Sequence, residues 1–262
     1  MGFTKGNNVV IKDNVIIGEN VVIEDDVYID YGVIIRDNVH IKKGTFIGAR
    51  CILGEFLMDF FEDRVNKAHH LVIGENSLIR SETIIYGDTQ IGDNFQTGHR
   101  VTIREKAKIG NNVRIGTLSD IQGDCSIGNY VNMHSNVHIG QKSIIKDYVW
   151  IFPYVILTND PNPPSENLIG VILEEFSIVA TGSIILPGKH IGKDALIGAG
   201  SIVTKNVNDE MVAVGNPAKE ICTIHEIKDK VTGEKVYPWR YHFDRGMPWN
   251  GQQYEEWLKN NL

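Results

Sequence analysis

From Val9 onward the chain repeats every six residues. The blocks read VVIKDN, VIIGEN, VVIEDD, VYIDYG, VIIRDN, VHIKKG, TFIGAR and CILGEF. The same frame runs from Leu71 to Asp160 and again from Val171 to Asn206. Slot three is Ile, Leu or Val throughout, except at Thr97 and Met133. Slot one is mostly small or β-branched, and slots four to six collect Gly, Asn, Asp and Lys. Residues two apart on a strand face the same side, and Gly, Asn and Asp favour turns. Each hexad therefore predicts one short strand and one corner. Three hexads close a triangular coil, so an aliphatic side chain stacks on its equivalent eighteen residues later. Each such buried side chain contributes about 1.5–3 kcal/mol, and the summed stack supports a solenoid. A helical reading fails, because an apolar period of six matches neither 3.6 nor 3.5.

The frame breaks twice. Slot three passes from Leu53 to Ile73 and from Leu157 to Leu173, which implies loops inserted at corners. The chain divides into N-terminal coils (1–53), an inserted loop (54–70), main coils (71–219) with a loop at 161–170, and a C-terminal extension (220–262). The first loop, Gly54 to His70, is rich in aromatics. It either clamps a nucleotide base by stacking, with Arg64 near phosphate, or packs its Phe residues on a neighbouring subunit. The extension is expected to cap the open end of the solenoid, with a short helix over Gln252–Asn260.

A formal net charge of -7 argues against nucleic acid as a main partner. No apolar run approaches the roughly 18–20 residues of a membrane span, and Met1 to Asn8 carries no signal-like apolar stretch. Cys51, Cys125 and Cys222 are widely spaced and suggest neither disulfides nor a zinc knuckle. Cys51 and Cys125 occupy slot one and read as packing residues. A cytoplasmic compartment is expected.

Handedness does not follow from the repeat. The dipeptides Ile91-Gly92, Ile127-Gly128, Ile139-Gly140, Ile191-Gly192 and Ile197-Gly198 open blocks of the form [LIV]-G-x-x-x-x. This pattern resembles the hexapeptide-repeat acyltransferase superfamily, which implies an all-β, left-handed parallel β-helix. Ile197 to Lys205 and Val214 to Lys219 look like the coenzyme A end of its sugar acetyltransferase branch. Val155 to Pro161 and Ile79 to Tyr86 resemble nucleotide-sugar N-acetyltransferases, nearest to the dTDP-3-amino-3,6-dideoxyhexose 3-N-acetyltransferase type. The resemblance implies a homotrimer that transfers acetyl from acetyl-CoA to the amine of a nucleotide-linked amino-deoxy sugar, for bacterial O-antigen or S-layer glycan synthesis. It implies no metal, no membrane and no nucleic acid.

The eighteen-residue coil stacks Gln141 under Asn159 and brings Asp160 one coil from Lys142. Spacing alone allows an ordinary turn at Asn159-Asp160-Pro161. The resemblance favours a substrate corner of Gln141, Asn159 and Asp160, with Arg64 and Tyr86 as further contacts. His134 sits at a corner and is the first choice of general base. His138, one coil above Asp120, is the second. By the same resemblance Thr181, Ala199 and Thr204 line the pantetheine groove, while Lys205 and Lys219 reach the phosphates of coenzyme A. Maltose and galactoside O-acetyltransferases carry their catalytic histidine where this chain has Thr158-Asn159-Asp160, so N-acetylation is favoured over the alternative, O-acetylation. A γ-carbonic-anhydrase-like zinc site needs His99, His134 and His138, whose slots do not converge. A non-enzymatic scaffold is disfavoured by the intact coenzyme A end.

Overall fold

A computed structural model describes residues 2–63 and 68–261. The chain is a parallel β-solenoid with three faces, and every third strand joins the same face. Face A opens with Thr4–Lys5 and Val22–Ile23, face B with Val10–Ile11 and Tyr28–Ile29, and face C with Ile16–Ile17 and Ile34–Ile35. Slot-three residues pair with their eighteen-residue neighbours, as in Ile103 with Ile121 and Ile121 with Ile139. Their side chains form one continuous core, with Ile29, Ile47, Ile79, Ile103 and Ile139 all wholly buried. Thr97 interrupts the aliphatic column without cost, because its hydroxyl accepts the Arg80 N–H at 2.9 Å. Cys51 and Cys125 pack inside as expected. Burial pushes their thiols up to about 11 and about 12, so both stay protonated.

Slot six turns most corners in the left-handed region, at φ 61° for Asn14, 61° for Asn38 and 59° for Asn112. Asn, Asp and Gly enter that region most readily, which explains their recurrence there. On the corner from face A to face B, slot-five amides are capped from the next coil. The Asp93 N–H donates to Asn111 Oδ1 at 2.8 Å and the Asn111 N–H to Asn129 Oδ1 at 2.9 Å.

Both insertions preserve the frame, since Ile41 pairs with Ile73 and Ile145 with Leu173. Both leave from the same corner, between faces C and A. The first contains α1, Met58–Asp63. The solenoid also begins a hexad earlier than the frame predicts, with Thr4–Lys5 paired to Val22–Ile23. Lys5 replaces an aliphatic there because the open end leaves it exposed. At the far end Met211–Gly215 extends face B, and Ala218–Thr223 returns antiparallel to it.

The extension does not simply cap that end. It carries α2, Tyr254–Asn261, and lies alongside face B. Trp239, Met247 and Trp249 are buried in a cluster with Phe176 and Ile178, flanked by Tyr148 and Trp150. The reason is local: on these coils the outward slots of face B are Trp150, Ile178 and Leu196, and its slot-six corner is Tyr130, Tyr148 and Phe176, apolar instead of polar. Among the described residues, no helix is long and apolar enough to cross a membrane.

Candidate active site

The corner between faces C and A carries Gln141, Asn159 and Asp160. Pairing of Ile139 with Leu157 sets Gln141 one coil from Asn159. A Cβ built on Gly140 would lie 3.1 Å from Asn159 Cβ and 2.7 Å from the Leu157 carbonyl oxygen. Glycine there leaves room for the Asn159 side chain beside Gln141. Asp160 does something different. Its carboxylate accepts from the Ser165 hydroxyl at 2.7 Å, the Ser165 N–H at 2.7 Å and the Asn162 N–H at 3.0 Å. The Ser165 hydroxyl is the first cause of its lowered pKa. Lys142 pairs with Asp124, not Asp160. Asp160 thus anchors the loop that walls the corner. Asp160→Ala is expected to speed proteolysis within 161–168 and to raise the acceptor KM more than it lowers kcat; a protease-resistant loop in the variant would contradict this.

His138 stands on face C with Nδ1 3.1 Å from Asp120 Oδ2. The Asp120 carboxylate also accepts from Gln122 Nε2 at 2.8 Å. The His138 bond, more than any other contact, holds that carboxyl below its ordinary range, against the opposing effect of burial. The coil spacing therefore assembles the pair that the sequence predicts. His134 lies on the corner between faces B and C. Its ring stacks on Phe152, with centroids 4.7 Å apart and planes 15° apart. Partial burial lowers its pKa, so the imidazole is neutral near pH 7. Among the described residues neither of its nitrogens has a hydrogen-bond partner.

His134 also borders a groove of about 410 Å³ between face B and the extension, with Trp150 and Phe152 on one wall and Tyr237, Trp239 and Phe243 on the other. Sequence reasoning missed this groove. A signal was present: slot six of one corner reads Tyr130, Tyr148, Phe176 and then Asp194 on successive coils. The three aromatics adopt φ of 56°, 63° and 64°, a backbone region costly for bulky residues. Tyr148 stacks on both neighbours, at 5.4 Å from Tyr130 and 4.8 Å from Phe176. Asp194 ends the column and pairs with Arg240 of the extension. The Arg240 guanidinium lies 4.5 Å from the Phe176 ring centre.

The residues expected to hold coenzyme A fall on two corners. Thr181 and Ala199 lie on successive coils at the corner between faces B and C. The side chains that would cap their amides from the next coil belong to Ala199 and Gly215, and neither carries an oxygen. Gly182 and Gly200 beside them open onto free space, with nothing within 4 Å of an added Cβ. Thr204, Lys205 and Lys219 line a second cleft, of about 310 Å³, at the far end of the solenoid. Five residues separate Ala199 from Thr204, about 16 Å of extended strand across face C.

Tyr86 is four coil steps from Thr158, about 19 Å along the corner, so one chain does not bring it to Asn159. The Arg104 guanidinium sits 5.7 Å from its ring centre. Arg64 lies outside the described residues. Within the first loop Phe56 and Phe60 stack on each other at 4.0 Å, and Arg36 of the same chain covers Phe56 at 4.3 Å. His99 bonds Ser81 Oγ through Nδ1 at 2.9 Å. Among the described residues no three His, Cys, Asp or Glu side chains form a metal-binding group.

Two repeat models match the chain. The bacterial transferase hexapeptide (six repeats) covers residues 106–141, and the hexapeptide repeat of succinyl-transferase covers 8–49. Both fall on coils whose register is seen directly. Both stretches carry the hexapeptide repeat of bacterial transferases. Over 95 residues, 36% of its length, this hexapeptide-repeat protein is 32% identical to 2,3,4,5-tetrahydropyridine-2,6-dicarboxylate N-acetyltransferase of Staphylococcus aureus. It spans about a third of the length of the curated relatives it matches, 34% in that case. Among solved structures, PerB from Caulobacter crescentus in complex with CoA and GDP-perosamine is 20% identical, with 68% of this chain and 71% of that chain covered and a TM-score of 0.37. The Bacteroides fragilis UDP-N-acetylglucosamine acyltransferase LpxA is 18% identical, with coverages of 84% and 70% and a TM-score of 0.38.

Proposed function

We propose that this hexapeptide-repeat protein is an acetyl-CoA-dependent N-acetyltransferase acting on the amine of a nucleotide-linked amino-deoxy sugar, with a dTDP-3-amino-3,6-dideoxyhexose as the best candidate. The observation that carries the reading is the division of its site residues between the two corners of face C. Thr181, Ala199 and His134 stand on one corner. Gln141, Asn159, Thr204 and Lys205 stand on the other. In a trimer with face C turned toward the three-fold axis, the first corner of one copy meets the second corner of the next. The divided set then becomes one site, with the thioester held along the bare amides at Thr181 and Ala199 and the phosphates at Lys205 and Lys219. Outward residues of face C are apolar in two runs, Ile34, Ile52 and Ile84 and then Ile156, Ile184 and Ile202, with Thr102, Asp120 and His138 between them, and the two runs suit such burial. The S. aureus relative, named as an N-acetyltransferase, supports transfer to nitrogen.

In this reading the neutral sugar amine attacks the acetyl carbonyl carbon. The new C–N bond forms, the C–S bond breaks, and the thiolate leaves. The proton shed by nitrogen passes to an imidazole nitrogen of His134. Gln141 and Asn159 of the adjoining copy orient the sugar. The absence of histidine at Thr158-Asn159-Asp160 favours an amine, which needs less basic assistance than a hydroxyl.

Sedimentation should give a trimer, and calorimetry should give one coenzyme A per chain. A charge-assisted contact is worth about 1.5–3 kcal/mol, so Lys205→Ala should weaken coenzyme A by about tenfold. A coenzyme A release assay across dTDP- and UDP-linked amino sugars tests the acceptor. An active monomer, or release only with a non-sugar amine, would contradict the reading.

A further inference from the structure

The groove between face B and the extension has no role in the transfer step itself, yet three polar groups without partners converge on it. Among the described residues, neither the Tyr237 hydroxyl, the His134 ring nitrogens nor the Arg245 guanidinium has a hydrogen bond or carboxylate partner. Arg245 only leans toward the Phe243 ring, 5.6 Å from its centre. The rest of the wall is aromatic apart from Ile178 and Val236. Trp150 stands nearly perpendicular to Phe243, at 5.5 Å and 87°, and to Trp239, at 5.9 Å and 84°. An apolar cavity of this size with a few convergent polar groups is the ordinary form of a small-molecule site. Ring walls suit a flat, π-faced ligand better than a hydrocarbon chain. An unpaired cation on a wall without a carboxylate suits an anion attached to it.

The hexad frame orients the groove. His134 and Phe152 occupy slot four, at the corner. Trp150 and Ile178 occupy slot two, in the middle of face B. The groove therefore runs from the proposed transfer base inward along face B, over about 7 Å of strand.

We propose that this groove is the nucleobase pocket of the acceptor. The base packs along the groove against its ring walls, over the floor where Trp150 meets Trp239 and Phe243 edge to face; Arg245 meets the diphosphate, and the linked sugar emerges at the corner beside His134. The inference rests on the nucleotide-sugar reading above and deepens it. It assigns base selection to the extension, a segment outside the hexapeptide repeat.

The test uses the intact protein, with thymidine, uridine and guanosine diphosphates as probes and tryptophan fluorescence as the readout. Quenching should saturate with at least one nucleoside diphosphate and be absent with inorganic pyrophosphate. Loss of a stacking ring typically weakens binding by about tenfold, so Phe243→Ala should raise that Kd by this factor while coenzyme A affinity, measured by calorimetry, stays the same. Arg245→Ala changes only an exposed side chain and keeps the test valid if Phe243→Ala unfolds. It should weaken the diphosphates but leave the free nucleoside unaffected. If both variants bind nucleoside diphosphates as the native protein does, the base lies elsewhere, and the groove proposal falls while turnover of nucleotide-linked amino sugars keeps the function standing. Quenching by decanoyl-CoA but by no nucleotide would make the groove an acyl pocket and overturn the proposal. Native protein that neither binds any nucleoside diphosphate nor acetylates any nucleotide-linked sugar would end both readings.

Discussion

His134→Asn is expected to reduce kcat by about 10²-fold or more, with little change in the acceptor KM, in line with the 10²–10⁴-fold typical of general bases. Partial burial keeps the ring neutral, and among the described residues its nitrogens have no hydrogen-bond partner. The direction of the shift also fixes the pH profile. A base must be unprotonated, so the ascending limb of kcat/KM should lie below 6.5, the ordinary histidine value. Asparagine keeps a compact polar side chain at the corner but loses the ring stacked on Phe152 and the basic nitrogen. His138→Asn provides the comparison. If it, and not His134→Asn, abolishes turnover, the Asp120–His138 pair carries the proton. If neither variant loses activity, alignment alone drives the reaction, as is feasible for an amine, since positioning can supply roughly 7–11 kcal/mol.

Arg240→Met should destabilise the fold by about 3–5 kcal/mol at pH 7, the usual result of removing one partner of a buried ion pair. Asp194 is 2% exposed. Burial raises its pKa, and Arg240 provides the main opposing effect. Without the guanidinium the carboxyl rises further above its unfolded value of about 3.9. A group raised on folding contributes stability that is present below its unfolded pKa and is lost as pH rises through its folded pKa. The deficit of the variant should therefore shrink toward pH 4 and be largest at neutral pH, as read by urea denaturation. Adding Asp194→Asn should recover much of the loss. A variant within about 1 kcal/mol of the native protein at pH 7 would show that the aromatic cluster holds the extension unaided.

The period of six made the coils, their register and both insertion lengths legible, because each of these follows from counting. The Asp120–His138 pair was legible for the same reason. The extension was not. Its contacts are side-chain meetings without a period, between Trp239 or Trp249 and whatever face B offers. The aromatic column Tyr130, Tyr148, Phe176 announced a partner but not which segment would supply it. The role of Asp160 was hidden because Ser165 closes on it from within an aperiodic loop. The start at Thr4 was hidden because an end coil needs no aliphatic at Lys5.

Insertions that return in phase have a consequence for how such a chain can vary. A whole coil of eighteen residues can be gained or lost without turning any side chain from wall to lumen. The distance from the proposed acceptor corner at Asn159 to the proposed phosphate end at Lys205, two coils in this chain, can then change only in increments of about 4.8 Å. A donor of fixed length sets that count. The solenoid is in this sense a gauge with discrete marks, and substrate range can drift through loops and extension while its graduation stays constant.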